Sequence, residues 1–388
     1  MTPSAIETIT VTTTAAATSD YKELSPTHYS REDELKGKAG FLAATYPHYL
    51  PTWDANEHYP PLEPFEHYEH GKDADTSFPE LLPPGLATRV DLTPTIGSEI
   101  SGVQLSTLSD AGKDQLARFV AERKVVAFRA QDFADLAIED ALDFGAYFGR
   151  HHVHPTSGAP AGFPAIHLVH RAAGDTAVAD EFFATRTSSV AWHSDVSYEQ
   201  QPPGTTFLYA LDTPAGAGGD TLFADAAEAY RRLSPALQQR LHGLQATHSG
   251  HEQAQSSLAR GSIVRRAPVC SVHPVVRTHP ATGEKALYVN PQFTREIVGF
   301  KKEESDALLG FLYSHLALGA DFHARIKWQP GTVVVWDNRV TQHTALVDWK
   351  SGARRHLARI TPQAERPYET PFEEGNGAEK VERGSKRG

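Results

Sequence analysis

Trp192-His193-Ser194-Asp195-Val196-Ser197 is the stretch on which the reading of this chain turns. In an extended segment, residues two apart point to one face, with side chains roughly 7 Å apart. On that reading His193 and Asp195 can grip one ion from the end of a single strand. It is the only His-x-Asp among the 20 histidines. Taken alone it fits a surface histidine and a turn aspartate equally well, so its weight depends on the motifs that accompany it. Far downstream, Trp336-Asp337-Asn338-Arg339-Val340-Thr341-Gln342-His343 offers a second imidazole, which by itself could be a satisfied core histidine. Two histidines and one carboxylate are the ligand set of non-haem iron(II) oxygenases, and they leave coordination positions open.

Arg355-His356-Leu357-Ala358-Arg359 narrows the choice. As a strand it puts both arginines and the apolar Leu357 on one face, the cations about 13 Å apart, with Arg354 turned the other way. Cations on such a face are costly to bury unpaired, and two anionic ligand groups would resolve that cost. Arginine is suited to a planar carboxylate such as that of 2-oxoglutarate. Pro214-Ala215-Gly216-Ala217-Gly218-Gly219-Asp220-Thr221 lacks the Lys-Ser/Thr ending of a phosphate loop and reads equally as a plain turn, though Thr221 could donate to a carboxylate.

The composition excludes several function classes. A formal charge of −11 argues against nucleic acid as a partner but leaves room for a small anion held by a local positive field. No apolar run approaches the roughly 18 residues of a membrane span. The first residues carry neither a basic nor an apolar segment of a secretory signal, so a cytoplasmic location is expected. One cysteine, Cys270, and one methionine exclude disulfides and thiolate metal sites. Sulfur scarcity fits drift, protection from self-oxidation, or synthesis under sulfur shortage.

Along the chain, residues 1–35 read as a disordered Thr/Ala-rich leader and 36–86 as an extended arm dense in proline and aromatics. Tyr46-Pro47-His48-Tyr49-Leu50-Pro51 and Tyr59-Pro60-Pro61-Leu62-Glu63-Pro64 are its densest runs, with the aromatics docked on the surface. A folded domain is expected over 87–367 and a mobile tail over 368–388. Strands are predicted at 87–92, 124–129, 205–211, 286–290, 332–337 and 355–361. Helices are predicted at 110–123 (Leu116, Phe119 and Val120 inward), around Ile138 to Phe148, at 225–232, from Ser234-Pro235 onward and at 303–318. Short strands with helices gathered early and in insertions fit a mainly β fold with flanking helices around a double-sheet jelly-roll core.

These motifs, with Gly218-Gly219-Asp220-Thr221-Leu222-Phe223 and His273-Pro274-Val275-Val276-Arg277-Thr278-His279-Pro280, occur in the order of the taurine/alkylsulfonate dioxygenase family, which the chain resembles from about Ala87 to Pro367. The Pro/aromatic arm is similar to that of the longer fungal sulfonate dioxygenases. The resemblance implies a cupin-like double-stranded β-helix using Fe(II), 2-oxoglutarate and O₂, with ascorbate sustaining activity. It implies His193, Asp195 and His343 as iron ligands, Thr221 and Arg355 for the cosubstrate, and Arg359 and His154 for a sulfonate, with Phe293 as a pocket wall. The chain departs from the family at Ser157 (a tyrosine), at Ser189 (an asparagine) and near Ser249-Gly250 (a phenylalanine). Smaller residues there predict a wider pocket with fewer polar contacts to the taurine amine, which tells against taurine as the preferred substrate.

The implied reaction hydroxylates the carbon next to a sulfonate, giving sulfite, an aldehyde, succinate and CO₂. An alkyl sulfate ester, an aryloxyalkanoate, a purine, or a catalytically silent anion-binding homologue stand as alternatives. The intact ligand set weighs against the silent reading, and a homo-oligomer is left open.

Overall fold

The structure is a computed structural model that describes Gly37, residues 42–372 other than 55, 176–179, 181–182, 215 and 350–351, and nothing outside them. The expected leader (1–35) and most of the expected tail therefore lie outside the described residues. In chain order the strands are β1 (Thr88–Asp91), β2 (Ser98–Ser101), β3 (Val125–Phe128), β4 (Ile166–Arg171), β5 (Thr205–Asp212), β6 (Thr221–Asp225), β7 (Gln245–Ser249), β8 (Cys270–Pro274), β9 (Val276–Thr278), β10 (Lys285–Leu287), β11 (Thr294–Ile297), β12 (His323–Ile326), β13 (Val333–Asp337), β14 (Thr341–Ala345) and β15 (Arg355–Ile360). The helices are α1 (Asp110–Arg123), α2 (Ile138–Ala146), α3 (Ala226–Arg231), α4 (Pro235–Leu241), α5 (His251–Ala259) and α6 (Lys302–Ala317).

Seven strands form one sheet in the order β1-β2-β3-β13-β5-β15-β4, and β12-β6-β14 form a second, smaller one. Every pair in the large sheet is antiparallel except β2 with β3. The central strands are apolar on both faces, as strands buried from both sides must be. Val126, Phe128, Phe207, Tyr209, Val333, Val335 and Ile360 meet Leu116, Phe119 and Val120 of α1 and Phe144 of α2. The alternate residues Val125, Ala127, Leu208, Ala210, Val334, Trp336 and Leu357 meet Phe223, Ala324 and Ile326 of the small sheet. Each fully buried Val, Leu, Ile or Phe among them contributes about 1.5–3 kcal/mol. A third cluster under β7-β8-β11, β9-β10 and α6 includes Val275, Val276, Leu287 and Leu312.

Local signals account for the helices. Ser109 caps α1 through the Gly112 N–H, and Ser234 caps α4 with Pro235 in the first turn. Asp225 accepts from the N–H groups of Ala227 and Glu228 to start α3. The strand expected at 87–92 exists as β1, but all four of its residues are exposed at the sheet edge, so its alternation does not reflect burial. The Pro/aromatic arm reaches deeper than a surface strap. Tyr49 is wholly buried with its ring 5.9 Å from that of Tyr209, and Phe78 and Leu81 join the helix-side core. Glu69 of the arm pairs with buried Arg339, which also binds Asp337 at 2.7 Å and Glu365 at 3.2 Å.

Candidate metal centre

His193 and His343 are joined backbone to backbone. The His193 N–H donates to the His343 carbonyl at 3.1 Å and the His343 N–H to the His193 carbonyl at 2.8 Å. This isolated bridge, not one strand, builds the centre. Asp195 lies in a turn rather than on the strand face that the spacing predicts, and Val196 follows it at φ 37°, a value β-branched residues rarely adopt. The turn is held by the Asp195 N–H donating to Asn338 Oδ1 at 2.9 Å and by Ser194 Oγ donating to the Thr341 carbonyl at 2.8 Å.

One ligand atom each from His193, Asp195 and His343 lies within 4.8 Å of the others. Both Nε2 atoms are 3.8 Å from Asp195 Oδ1. His193 Nδ1 donates to the Ala191 carbonyl at 2.8 Å, which leaves the Nε2 lone pair for a metal, as outer-shell bonds commonly arrange. Asp195 Oδ2 and His343 Nδ1 are buried with no hydrogen-bond partner among the described residues. Burial would push the Asp195 carboxyl up, but Arg359, His343 and His193 hold it at about 2. Burial lowers His343 to about 3, so both groups stand in their metal-binding forms. The donors fit an iron(II) ion. A second group of ligand-type side chains, His67, Glu69 and Glu365, is close enough to hold an ion, but the Arg339 guanidinium already pairs both glutamates.

Arg355 occupies the same face at the other end of β15. Its Nε donates to the Gly219 carbonyl at 3.2 Å and its guanidinium lies 5.6 Å from the Trp349 ring. Burial, with Arg171 adding repulsion, lowers it to about 10, so it remains charged at neutral pH. The glycine loop is shaped for this approach. A Cβ on Gly218 (φ +103°) would lie 2.8 Å from Trp349, and one on Gly219 (φ +74°) 3.2 Å from it and 3.4 Å from Arg355. Only glycine meets both the space and the backbone. Thr221 Oγ1 accepts from Trp328 Nε1 at 3.1 Å, so its own proton is free to be donated.

At the opposite end Arg359 Nη1 donates to Asp195 Oδ1 at 2.6 Å. His154 is buried nearby, its Nδ1 accepting from the N–H groups of Thr156 at 3.2 Å and Ser157 at 3.1 Å. Phe293 stands edge-on to His193 with ring centres 6.1 Å apart. Ser189 Oγ accepts from the Val347 N–H at 3.4 Å, which ties it to the segment before Trp349 rather than to His154 or Arg359.

The expected widening of the pocket needs correction at two positions. A Cβ at Gly250 would be 3.0 Å from the Tyr198 ring, so Tyr198 fills the space beside Phe293, at 5.1 Å. Beside Ser157 the space goes to His167, whose ring is 4.5 Å from that of His154. Asn338, Tyr198 and His167 were not found by sequence reasoning. A strand over Ile166–Arg171, with His167 and Arg171 on one face, was the available signal.

Burial also sets a pH dependence. His273, 1% exposed, is lowered to about 4 by burial, and burial lowers His248 and His152 as well. In the unfolded chain these groups protonate near pH 6.5. The contribution of His273 is fully present above that pH and is lost as pH falls towards 4, by about 1.4 kcal/mol per unit, and His248 and His152 act in the same direction. Thermal melts between pH 7.5 and 4.5 should show the midpoint falling steadily below pH 6.5. A flat profile would contradict the assignment of these rings as neutral.

Residues 88–361 match the family described as taurine catabolism dioxygenase TauD, TfdA family. An α-ketoglutarate-dependent (2-oxoglutarate-dependent) sulfonate dioxygenase of Saccharomyces cerevisiae is 48% identical over 330 residues, covering 84% of this chain and 79% of the yeast protein. An α-ketoglutarate-dependent dioxygenase of Penicillium expansum is 42% identical over 354 residues, 90% of this chain and 94% of its own. The crystal structure of a taurine dioxygenase from Burkholderia xenovorans matches with a TM-score of 0.60 at 30% identity, over 76% of this chain and 93% of that one. With a His-Asp-His group that can hold iron and two buried arginines on one face of β15, the chain is an iron(II)- and 2-oxoglutarate-dependent dioxygenase and belongs to the taurine catabolism dioxygenase TauD, TfdA family.

Proposed function

We propose that the enzyme hydroxylates the carbon bearing a sulfonate. The observation that carries this reading is a buried cation, Arg359, placed against the metal ligand Asp195 with the donor-bearing His154 in the same pocket. An anionic head seated on Arg359 and His154 would present its neighbouring C–H to the metal. Arg355 and Thr221 would hold the far carboxylate of 2-oxoglutarate, and Phe293 with Tyr198 would keep water from that side. When bound, iron(II) supplies the activation of O₂, of which one atom enters the C–H bond and the other enters succinate as CO₂ leaves. The resulting carbon carries both hydroxyl and sulfonate. Its C–S bond breaks with the electron pair leaving on sulfur, the hydroxyl proton is lost, and an aldehyde and hydrogen sulfite result.

We further infer that the seven-stranded sheet and the β12-β6-β14 sheet are the two walls of a cupin-like double-stranded β-helix. The shared core of Val334, Trp336, Leu357 and Phe223 supports this. Residues 87–367 are proposed as the catalytic unit. No helix among the described residues is long and apolar enough to cross a membrane, and a cytoplasmic enzyme acting on a small anionic solute is the location we propose.

The test is release of sulfite and succinate by protein supplied with iron(II), ascorbate and 2-oxoglutarate. Taurine, longer alkylsulfonates, alkyl sulfates, a phenoxyacetate and a purine form the panel. Sulfite from a sulfonate in step with succinate supports the reading, and succinate without sulfite from any sulfonate overturns it. Arg359→Ala should raise KM for the sulfonate on the order of 10- to 100-fold, the worth of a hydrogen bond to a charged group, while 2-oxoglutarate still decays without product. Loss of 2-oxoglutarate binding alone would mean that the two arginines hold each other's ligands.

A further inference from the structure

His167 lies on β4 directly opposite Arg359 of β15 in an antiparallel pair. Residues so paired project to the same face about 5 Å apart. Arg359 reaches Asp195 from that face, so His167 is on the metal side of the sheet. Its ring is 4.5 Å from that of His154 at 62°, and its Nε2 is 3.5 Å from Ser157 Oγ. Its Nδ1 is buried with no hydrogen-bond partner among the described residues. Burial keeps both imidazoles well below their ordinary range, helped next by His152 at His154 and by Arg359 at His167, so each is neutral with one N–H. For His154 the proton position is settled. Nδ1 accepts two backbone N–H bonds, so the hydrogen is on Nε2. Arg265 fixes that loop by donating to the carbonyls of His154, at 2.8 Å, and Ser157.

Resting on the sulfonate reading above, we propose that His167 is a third contact to the anionic head, so that Arg359, His154 and His167 form a three-donor pocket. One guanidinium and two neutral N–H groups match a monoanion with three terminal oxygens, as in an alkylsulfonate or a sulfate ester. A planar carboxylate keeps its acceptor lone pairs in one plane, so three donors disposed around a tetrahedral head leave one of them poorly aligned, which weakens binding by about 5- to 150-fold. The small side chain of Ser157 is what admits the His167 ring, since a larger residue there would compete for the same space. His167 is thus a specificity-determining residue that selects head-group geometry, separate from whatever sets chain length.

The experiment compares wild type, His167→Ala and His167→Gln, the last keeping an N–H donor. Full-length protein is loaded with iron(II) and 2-oxoglutarate. One arm, without O₂, reads the rise in Tm on adding hexanesulfonate or hexanoate. The other, with O₂, reads KM and kcat from sulfite release. The expected result is a sulfonate-specific Tm shift in wild type that His167→Ala loses and His167→Gln largely restores. KM for the sulfonate should rise about tenfold or more in His167→Ala, with a smaller change in kcat. An unchanged Tm shift and KM in His167→Ala overturns the proposal. So does a loss that His167→Gln fails to restore, which would mark His167 as structural. If wild type shows the sulfonate shift, and His167→Ala loses it, yet no sulfite is ever released, the pocket stands and the desulfonation reading falls. If wild type shows no preference for sulfonate over carboxylate in either arm, the pocket proposal falls.

Discussion

Protein with His193→Ala is expected to lose iron(II) affinity by at least ~100-fold and with it all O₂-dependent turnover. Removing a partner outside the ligand sphere already costs 10- to 100-fold in affinity or activity, and His193 is within it. The ring also does little else. It is half-buried, and its Nδ1 bond goes to a carbonyl two residues away. The backbone bridge to His343 uses main-chain atoms and survives the substitution. The variant should therefore melt near the metal-free wild-type temperature while failing to take up iron, measured by metal content after dialysis and by succinate formation. Full activity would end the ligand assignment. An equal loss in melting temperature would mean that the ring is structural.

Arg355→Ala should raise KM for 2-oxoglutarate on the order of 100-fold or more. Truncating one partner of a buried, hydrogen-bonded charge pair costs about 2–5 kcal/mol, and tenfold corresponds to about 1.4 kcal/mol. Arg355→Lys should recover little, because an ammonium cannot offer the planar fork to a carboxylate. The substitution leaves Arg359 and the metal ligands in place, so saturating 2-oxoglutarate should restore much of kcat. Initial rates over a 2-oxoglutarate series at fixed sulfonate provide the measurement. A change confined to KM for the sulfonate would transfer the cosubstrate role to another residue.

Some of this was legible because it depends on local period and order. Arg355, Leu357 and Arg359 share a face for the same reason that any alternate strand residues do, and β15 places them so. Helix α1 runs over the expected 110–123 because serine capping and apolar spacing are properties of the sequence itself. What failed depends on residues distant in the chain. The spacing of His193 and Asp195 suggested one strand, whereas Asn338 and Thr341 hold Asp195 in a turn. Substitution of the pocket residues by serine and glycine suggested open volume, whereas Tyr198 and His167 occupy it. Ile166–Arg171 was not assigned as a strand because His167, His170 and Arg171 make it too polar to read as one. Its purpose is visible only across the ladder, where His167 meets Arg359.

The place of β15 in the large sheet bears on how the molecule is made. The last strand among the described residues is inserted between β5 and β4, and it carries both arginines of the site. Until residue 360 has left the ribosome, β5 and β4 each present an open edge, that of β5 flanked by apolar faces, the kind of surface that templates intermolecular pairing. The sheet therefore closes late, by contacts of very long sequence separation, which is the slow regime of folding. Nascent chains and prematurely terminated products should be clients of chaperones, and no C-terminal truncation that removes β15 can retain partial function. Synthesis and assembly of this enzyme are in effect a single all-or-nothing event completed at its far end.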